Sequence, residues 1–440
     1  MKIKIKFVFT SFLGLLIICN FLAFTGIDGA ITNPSEHFGY QDDPKEVNWG
    51  GDQDEGSVFA QVDANGFLYV TCYSKSFGIT GEDVWVMKYD PEMNLLWNVT
   101  WKTPDSARPA GLVIDGSNIY VGGTIVTHIG GATYIHDAFL VKFAHNGTRL
   151  WNITRHDPNQ EDDVTSVSIA SDFVYLTGAC NSSQGDLFIQ KYSLSGTYQD
   201  TFYYGNTAPR EQIIPGGTVI DSEGNFYIGA STDNCPPGNL MDLVLIKLNA
   251  TGYHLWNRTV GDTNPNDRGY DVALSGESIY VVGDLGIADA AIVKFNYTGE
   301  ILWNATWNLQ TDHGNSITMN DHGNPVIAGY TDFYSTTGDI IMGEFLPNGT
   351  LLWNDSYKGP LADQPDDIQA HGNLMYTLGR SNNATSGYDV VIIVYEDYTV
   401  TYFPPMGPYG RIFGSIIGGL IGVFAILFIV GILITYWKKA

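Results

Sequence analysis

The sequence is short of basic residues and of recognisable catalytic motifs. Its 22 lysines and arginines stand against 47 aspartates and glutamates, a formal net charge of −25. With the two chain ends set aside, residues 31–410 hold 16 basic and 46 acidic residues, a net of about −30. That field repels phosphate and excludes DNA and RNA as partners. Charged residues are only 16% of the chain, too few for a disordered polyanion. The acidic surplus suits a soluble surface protein, and it tolerates cations, cationic partners or high salt. There is no His-Glu-x-x-His, no Gly-x-Ser-x-Gly, no nucleotide-binding glycine loop and no Cys/His zinc spacing. The chemistry that each motif supports therefore has no foothold here, and no catalytic or cofactor residue is assigned. The nine histidines are scattered. His322 and His371 both precede Gly-Asn, so turn geometry explains them better than metal ligation.

What the sequence does have is a repeat. Seven aspartates, Asp83, Asp137, Asp186, Asp242, Asp289, Asp339 and Asp389, each open a short apolar run, at spacings of 54, 49, 56, 47, 50 and 50 residues. Strand-like units of this period point to the blades of a β-propeller. The fifth copy shows four segments: Tyr270–Leu274 (A), Ser278–Gly283 (B), Ala290–Phe295 (C) and Ile301–Trp307 (D). Segments B and C are nearly continuous apolar runs, as in strands buried on both faces. Segment D alternates, as in a half-exposed outer strand. Asn65-Gly66, Asn146-Gly147 and Asn348-Gly349 mark hairpins, because type I′ turns need positive φ. The expected fold is all-β, a seven-bladed β-propeller of four-stranded blades over residues 45–403. Seven copies of one unit override the length prior of about 150 residues per domain. The repeat aspartates are read as structural, fixing a loop-to-strand junction by accepting backbone N–H bonds. The seventh copy is the least regular, which suits a closure blade. Val47–Gly51 resembles the tail of a strand D, and Tyr398–Tyr402 competes for the same place.

The pattern Asn-x-Tyr-Val-x-Gly, then Asp, three apolar residues, x-Lys-Phe, then Gly-x-Leu-Leu-Trp, resembles the SBBP-type β-propeller repeat of secreted and surface proteins. The resemblance covers almost all of the region between the chain ends. It implies a fold and a location outside the cell, and it is nearly silent on function. The Gly-x-x-x-Trp half is also similar to the repeat of quinoprotein-like propellers.

Three lysines in Met1–Lys6, an apolar Phe7–Phe24 and small residues after it read as a signal segment, residues 1–30, cleaved at about 25–31. An uncleaved anchor is the alternative. Residues 31–44 form an extension, and 404–411 a Pro/Gly linker. Ile412–Trp437 is 26 residues without a charge, long enough to span a bilayer as a helix. Lys438 and Lys439 then place the 438–440 tail in the cytoplasm. Gly414, Gly418 and Gly422 share one helix face and offer a homodimer contact.

Eleven asparagines have Ser or Thr two residues on: Asn98, Asn146, Asn152, Asn181, Asn249, Asn257, Asn296, Asn304, Asn348, Asn354 and Asn383. Those at C–D hairpins and on strand D would coat the rim and one face with sugar. The face carrying the B–C and D–A loops would stay mostly open. Turn chemistry and edge-strand chemistry account for the same residues without sugar. Cys180 and Cys235 lie in B–C loops of consecutive blades and are a candidate disulfide, whereas Cys72 reads as a buried strand residue. The D–A loops hold clustered acids: Asp52, Asp54, Glu55; Asp157, Glu161, Asp162, Asp163; Asp262, Asp267; Asp363, Asp366, Asp367. They are expected to be solvated. Asp262, Asn264, Asn266 and Asp267 space their oxygens like a calcium loop, without its glycine and glutamate. Calcium is the one cofactor this admits. Tyr73, Phe77, Tyr134, Phe333, Tyr334 and Tyr388 add aromatic faces to the B–C loops.

The expectation is therefore a membrane-anchored, extracellular propeller. It binds a protein or glycan through the B–C/D–A loop face. The alternatives are a glycosylated structural envelope protein, or a quinoprotein-like or polysaccharide-cleaving enzyme. An enzyme would need clustered acids, histidines or arginines in the central funnel, and the sequence shows none.

Overall fold

The computed structural model describes residues 37–40 and 44–400, apart from 78–80, 131–132, 157–161, 183–184, 206–212, 236–239, 262–266, 287–288, 308–311, 332–337, 360 and 384–386. The signal segment, linker, membrane helix, Gly414, Gly418, Gly422 and cytoplasmic tail expected from the sequence lie outside these residues. Among the described residues no helix is long and apolar enough to cross a membrane.

Each repeat folds into one antiparallel sheet, and the chain is an all-β seven-bladed propeller of four-stranded blades. Blade 5 is typical, with strands Arg268–Ser275, Ser278–Leu285, Asp289–Asn296 and Ile301–Trp307 in the order A to D. Strand A of every blade lines a central cavity of about 550 Å³, so strand A is innermost and strand D forms the rim. Apolar residues of strands B and C fill the space between blades. Between blades 5 and 6, for example, Val282, Ile292, Ile327 and Ile341 pack together, fully buried. Burial on both faces is why B and C read as unbroken apolar runs.

The repeat residues form a clasp between neighbouring blades. Tyr280, Lys294 and Trp303 lie side by side across strands B, C and D. The Lys294 ammonium lies 5.1 Å from the Tyr280 ring centre, a favourable cation–π distance. Lys294 Nζ and Trp303 Nε1 both donate to the Pro347 carbonyl of blade 6, at 2.8 and 3.0 Å. Gly349 follows in that hairpin with φ of +88°, and a Cβ there would come within 3.0 Å of the Trp303 ring. The glycine is thus demanded twice, by its backbone and by the indole beneath it. The turns are not the type I′ expected, because Gly66, Gly147 and Gly349 have positive φ while Asn65, Asn146 and Asn348 do not. Trp97 makes the same bond to the His145 carbonyl of blade 2, at 3.2 Å. Blade 6 replaces the lysine with Glu344, which is buried and accepts from Asn320 and Asn324 at 2.8 and 2.7 Å. The donors moved to the A–B turn when the charge changed sign.

Closure of the ring decides between the two candidate strands. Lys45–Trp49 pairs antiparallel with Val390–Val394 and supplies strand D of blade 7. Tyr398 instead continues strand C, which runs from Gly387 to Val400. The short strand His37–Tyr40 joins the same sheet, so the sheet takes in residues assigned to the 31–44 extension. Trp49 packs on Trp85 and Phe77 of blade 1, with ring centres 5.2 and 5.4 Å apart. The two ends of the repeat region therefore meet in one blade.

Candidate functional site

Strand A is where the blades stop resembling one another. In every blade it slips register against strand B once, at Gly56/Phe59, Pro109/Gly111, Val164/Ser166, Pro215/Thr218, Gly269/Asp271, Gly314/Ser316 and Pro365/Asp367. A bulge re-aims the side chains around it, and an innermost strand with a free edge tolerates the prolines. The bulges divide the channel into a mouth and an inner belt. The mouth lies on the side from which the D–A and B–C loops emerge, since strands A begin and strands B end there.

The inner belt joins blade to blade through side chains. Ser168 Oγ of blade 3 donates to the Thr218 carbonyl of blade 4 at 2.7 Å. Asp271 of blade 5 accepts from Ser316 Oγ and Ile317 N of blade 6, at 3.0 and 3.1 Å. Gly217 leaves room for the Asp271 carboxylate, which any Cβ there would strike. Asp366 and Asp367 of blade 7 accept Val58 N and Ala60 N of blade 1, at 3.0 and 2.8 Å. These two carboxylates tie the last blade to the first. Ser316 Oγ also lies 3.3 Å from Asp367 Oδ1. One hydroxyl proton serves two carboxylates, so a second proton on either acid completes the chain. Burial pushes Asp271 up to about 6 and Asp367 up to about 7. Repulsion from Asp271 adds to the rise at Asp367. Asp366 is also raised by burial, against the pull of Arg380.

At the mouth, paired A and B residues supply Gly56/Tyr73, Arg108/Thr124, Asp163/Ala179, Ile214/Ser231, Arg268/Asp284, His313/Tyr330 and Gln364/Arg380. Blade 4 contributes little chemistry, whereas Asp163 of blade 3 pairs with His136 Nδ1 of blade 2 at 2.6 Å. Blades 5, 6, 7, 1 and 2 contribute arginine, tyrosine and histidine. His313 Nδ1 sits 2.8 Å from Asp284 Oδ2, and the Tyr270 hydroxyl donates to the same oxygen at 3.0 Å. The His313 ring stacks on Tyr330 at 5.1 Å. Arg380 donates to Gln364 Oε1 at 2.9 Å and lies 5.6 Å from the Tyr388 ring centre. Its charge reaches Tyr330 on one side and Tyr73 on the other. Burial raises both phenols, so they stay neutral donors. Arg108 forms a two-pronged ion pair with buried Glu82, at 2.5 and 2.9 Å. Gly56 carries no side chain because the Tyr73 hydroxyl lies over it, 2.9 Å from where a Cβ would stand.

This is the funnel cluster of arginine, histidine and acid that the sequence did not reveal. The acids expected to be solvated in D–A loops behave differently too. Glu55, Asp162, Asp267 and Asp363 are buried at the start of strand A. There they hold the incoming loop, as Asp363 does by accepting Gly359 N at 2.6 Å. Of the calcium candidates, Asp262, Asn264 and Asn266 lie outside the described residues, and Asp267 Oδ1 accepts Gly286 N at 2.6 Å. No group of three metal-ligating acids, histidines or cysteines occurs among the described residues.

The repeat aspartates stand on strand C, two strands from the channel. Several meet the chain leaving strand D, as Asp137 does with His156 at 2.9 Å and Asp339 with Lys358 at 3.1 Å. The Asp186 side chain lies outside the described residues. Asn98, Asn152, Asn257, Asn304 and Asn354 are exposed at one equivalent register on strand D. Asn146 and Asn348 are exposed in hairpins, while Asn249 and Asn296 are half-buried. Asn296 Oδ1 accepts three turn bonds, from Thr298 N, Thr298 Oγ1 and Glu300 N. The Asn181 and Asn383 side chains lie outside the described residues. Cys180 is buried near the end of strand B in blade 3. Cys235 closes strand B in blade 4, and its side chain lies outside the described residues. Cys72 is buried in strand B of blade 1. Phe77 and Tyr134 are exposed, and Phe333 and Tyr334 lie outside the described residues.

No family model matches the chain, and no curated protein does. Among solved structures, a protein of unknown function from Dyadobacter fermentans matches with a TM-score of 0.50 at 8% identity, over 82% of this chain and 100% of that one. Candidate 6-phosphogluconolactonases from Bacteroides uniformis and Bacteroides fragilis match at TM-scores of 0.47, with 15% and 11% identity. They cover 74% and 77% of this chain, and 94% and 97% of their own. The likeness is one of fold.

Proposed function

We propose that the chain is an exported, membrane-anchored propeller that binds a glycan at the loop-side mouth of its central channel. The observation that carries this reading is the mouth itself. The residues that depart from the repeat gather there as tyrosine faces, amides and arginines, the side chains that hold sugars by stacking and hydrogen bonding. A protein ligand is the broader alternative. It suits a concave site less well than a chain of sugar rings. Glycan arrays and cell-surface pull-downs on the purified protein test the choice. Enrichment of a saccharide that is lost in Tyr330→Ala supports a glycan lectin. Capture of a protein without any sugar supports the alternative, and no ligand in either screen supports a structural envelope role.

The pairing of His313 with Asp284 favours one second reading, a polysaccharide-cleaving enzyme. An imidazole oriented by a carboxylate is the usual form of a general base. New reducing ends in a polysaccharide that binds, absent with His313→Ala, would establish it.

Around this core the reading keeps an SBBP-type repeat, the signal segment, the membrane helix over 412–437, its glycine-face dimer and the Cys180–Cys235 disulfide. It also keeps N-glycans on the rim. The exposed strand D asparagines lie beside exposed Leu96, Leu150, Leu255 and Leu302, and sugar there would shield an apolar edge. Intact-mass measurement before and after glycosidase and reduction tests glycans and disulfide together.

A further inference from the structure

We propose that the mouth takes its ligand by a carboxylate, anchored on the Arg380 guanidinium, so that the preferred ligand is a uronic acid or a saccharide containing one. This rests on the glycan-binding reading and specifies its chemistry. The cations of the mouth are not equivalent. Arg108 is held by both oxygens of Glu82. Lys75 is shared between Asp54 and Glu82, at 3.2 and 3.6 Å. Arg268 binds the Tyr270 hydroxyl beside Asp284. Arg380 differs from all three. Among the described residues it makes no ion pair. Its one hydrogen bond among the described residues goes to a neutral amide, Gln364, and its Nε is buried with no partner. A guanidinium has five N–H donors in a planar fork. With Nε out of a ligand's reach and one Nη2 proton given to Gln364, the remaining Nη donors are the ones a ligand meets.

The groups around Arg380 narrow the ligand. Asp366 feels its charge, but the Asp366 carboxylate is committed to Val58 N across the closing interface. Gln364 carries no charge, and burial keeps the Tyr73 and Tyr330 phenols neutral. A single free cation with acids nearby suits one negative charge better than the two of a phosphate monoester. A planar carboxylate also matches the fork with two parallel hydrogen bonds. Tyr388 offers the charge a ring face at 5.6 Å, and the Tyr73 and Tyr330 hydroxyls, held neutral by burial, stand within reach of its field. That combination reads the ring and hydroxyls of a sugar as well as its acid.

The test uses the full-length protein in detergent, with glucuronate, glucuronamide and glucose as probes in calorimetry and saturation-transfer NMR. The acid and its amide have nearly the same shape, so their difference on the wild-type protein isolates the charge without any variant. Losing a charged hydrogen-bond pair corresponds to roughly tenfold to hundredfold in affinity. Glucuronate is therefore expected to bind at least tenfold more tightly than glucuronamide. Arg380→Gln should erase that preference, and Arg380→Lys should keep part of it. Equal binding of acid and amide, or a preference that survives in Arg380→Gln, overturns the carboxylate anchor and leaves glycan binding standing. Failure of all three sugars, and of uronic-acid oligosaccharides, overturns both.

Discussion

In the outer shell, Tyr280, Lys294 and Trp303 of blade 5 recur as Tyr69, Lys88 and Trp97 in blade 1, as Tyr120, Lys142 and Trp151 in blade 2, and as Tyr227, Lys247 and Trp256 in blade 4. In the inner shell, one equivalent position holds Gly56, Arg108, Asp163, Ile214, Arg268, His313 and Gln364. The outer residues all answer the same question, how one blade grips the hairpin of the next. The inner residues share a place and no structural task. Where geometry repeats, packing dictates the residue. Gly56 answers to the Tyr73 hydroxyl above it, but where the same geometry admits arginine, isoleucine and glutamine alike, no packing demand repeats, and a ligand is the natural claimant.

The sharpest way to break the comparison is to open the ring. Deleting residues 31–49 removes strand D of blade 7 and uncovers Val390, Ile392 and Trp85, which pack against Val47 and Trp49. The expected result is loss of a cooperative melting transition, the largest effect of any change considered, because a propeller is stabilised only when every interface is filled. A normal melt would mean that blade 7 is dispensable.

A second experiment sets the belt against the clasp. Asp271 and Asp367 sit near 6 and 7 when folded, above the ordinary value of about 4. The folded protein therefore holds more protons than the unfolded chain between about pH 4 and pH 7. Stability from these groups is full below that window and is lost as pH rises through it. Each extra proton held by the folded state is worth about 1.4 kcal/mol per pH unit, and the two acids share one hydroxyl. A fall of about 3 kcal/mol in urea-unfolding free energy from pH 4.5 to pH 8 is expected. Glu55, Asp83 and Asp363 are pushed the same way by burial, so Asp367→Asn should flatten the slope without removing it. An unchanged slope would place the linkage elsewhere. In the clasp, Trp303→Ala should cost about 2 kcal/mol, below the range for fully buried tryptophans because Trp303 is half-exposed. Gly349→Ala should cost about 1–2 kcal/mol from its left-handed backbone alone. Both are read by the same urea titration at fixed pH.

The two shells also differ in how far the sequence betrays them. Aspartate spacing, tyrosine, lysine and tryptophan recur because each blade needs them, so period, blade number and strand order were all legible. Strand A was harder. Its bulge breaks the alternation of two that marks a strand, and its opening acids looked like loop acids. Glu55, Asp162, Asp267 and Asp363 were therefore read as solvated, although burial there follows from holding the incoming D–A chain. Arg380 stands where other blades have Tyr73, Thr124, Ala179, Ser231, Asp284 and Tyr330. A residue that matches no copy carries no periodic signal, and only the closed ring brings it beside Tyr73, whose sequence position is over 300 residues away. The ring closure itself is ambiguous in the sequence because Val47–Gly51 and Tyr398–Tyr402 offer similar strand chemistry. Trp49 against Trp85 and Phe77 separates them, a contact between the end of the first segment and blade 1 that no pattern exposes.

The smallest expected effect is the most discriminating. Tyr330→Phe and Arg268→Gln each alter the mouth without opening a cavity, since the first removes only a hydroxyl and Arg268 is exposed. If the inner shell is free of structural duty, unfolding free energy should move by no more than about 0.5 kcal/mol, the usual range for surface changes. Tyr330 lies against His313 by ring stacking, and phenylalanine keeps that face, so only the hydroxyl is tested. Saccharide binding should weaken in both variants while stability holds. Were stability instead to fall by as much as in Trp303→Ala, the mouth residues would have a packing role of their own. The variety of the inner ring would then reflect seven different structural solutions and not one binding surface.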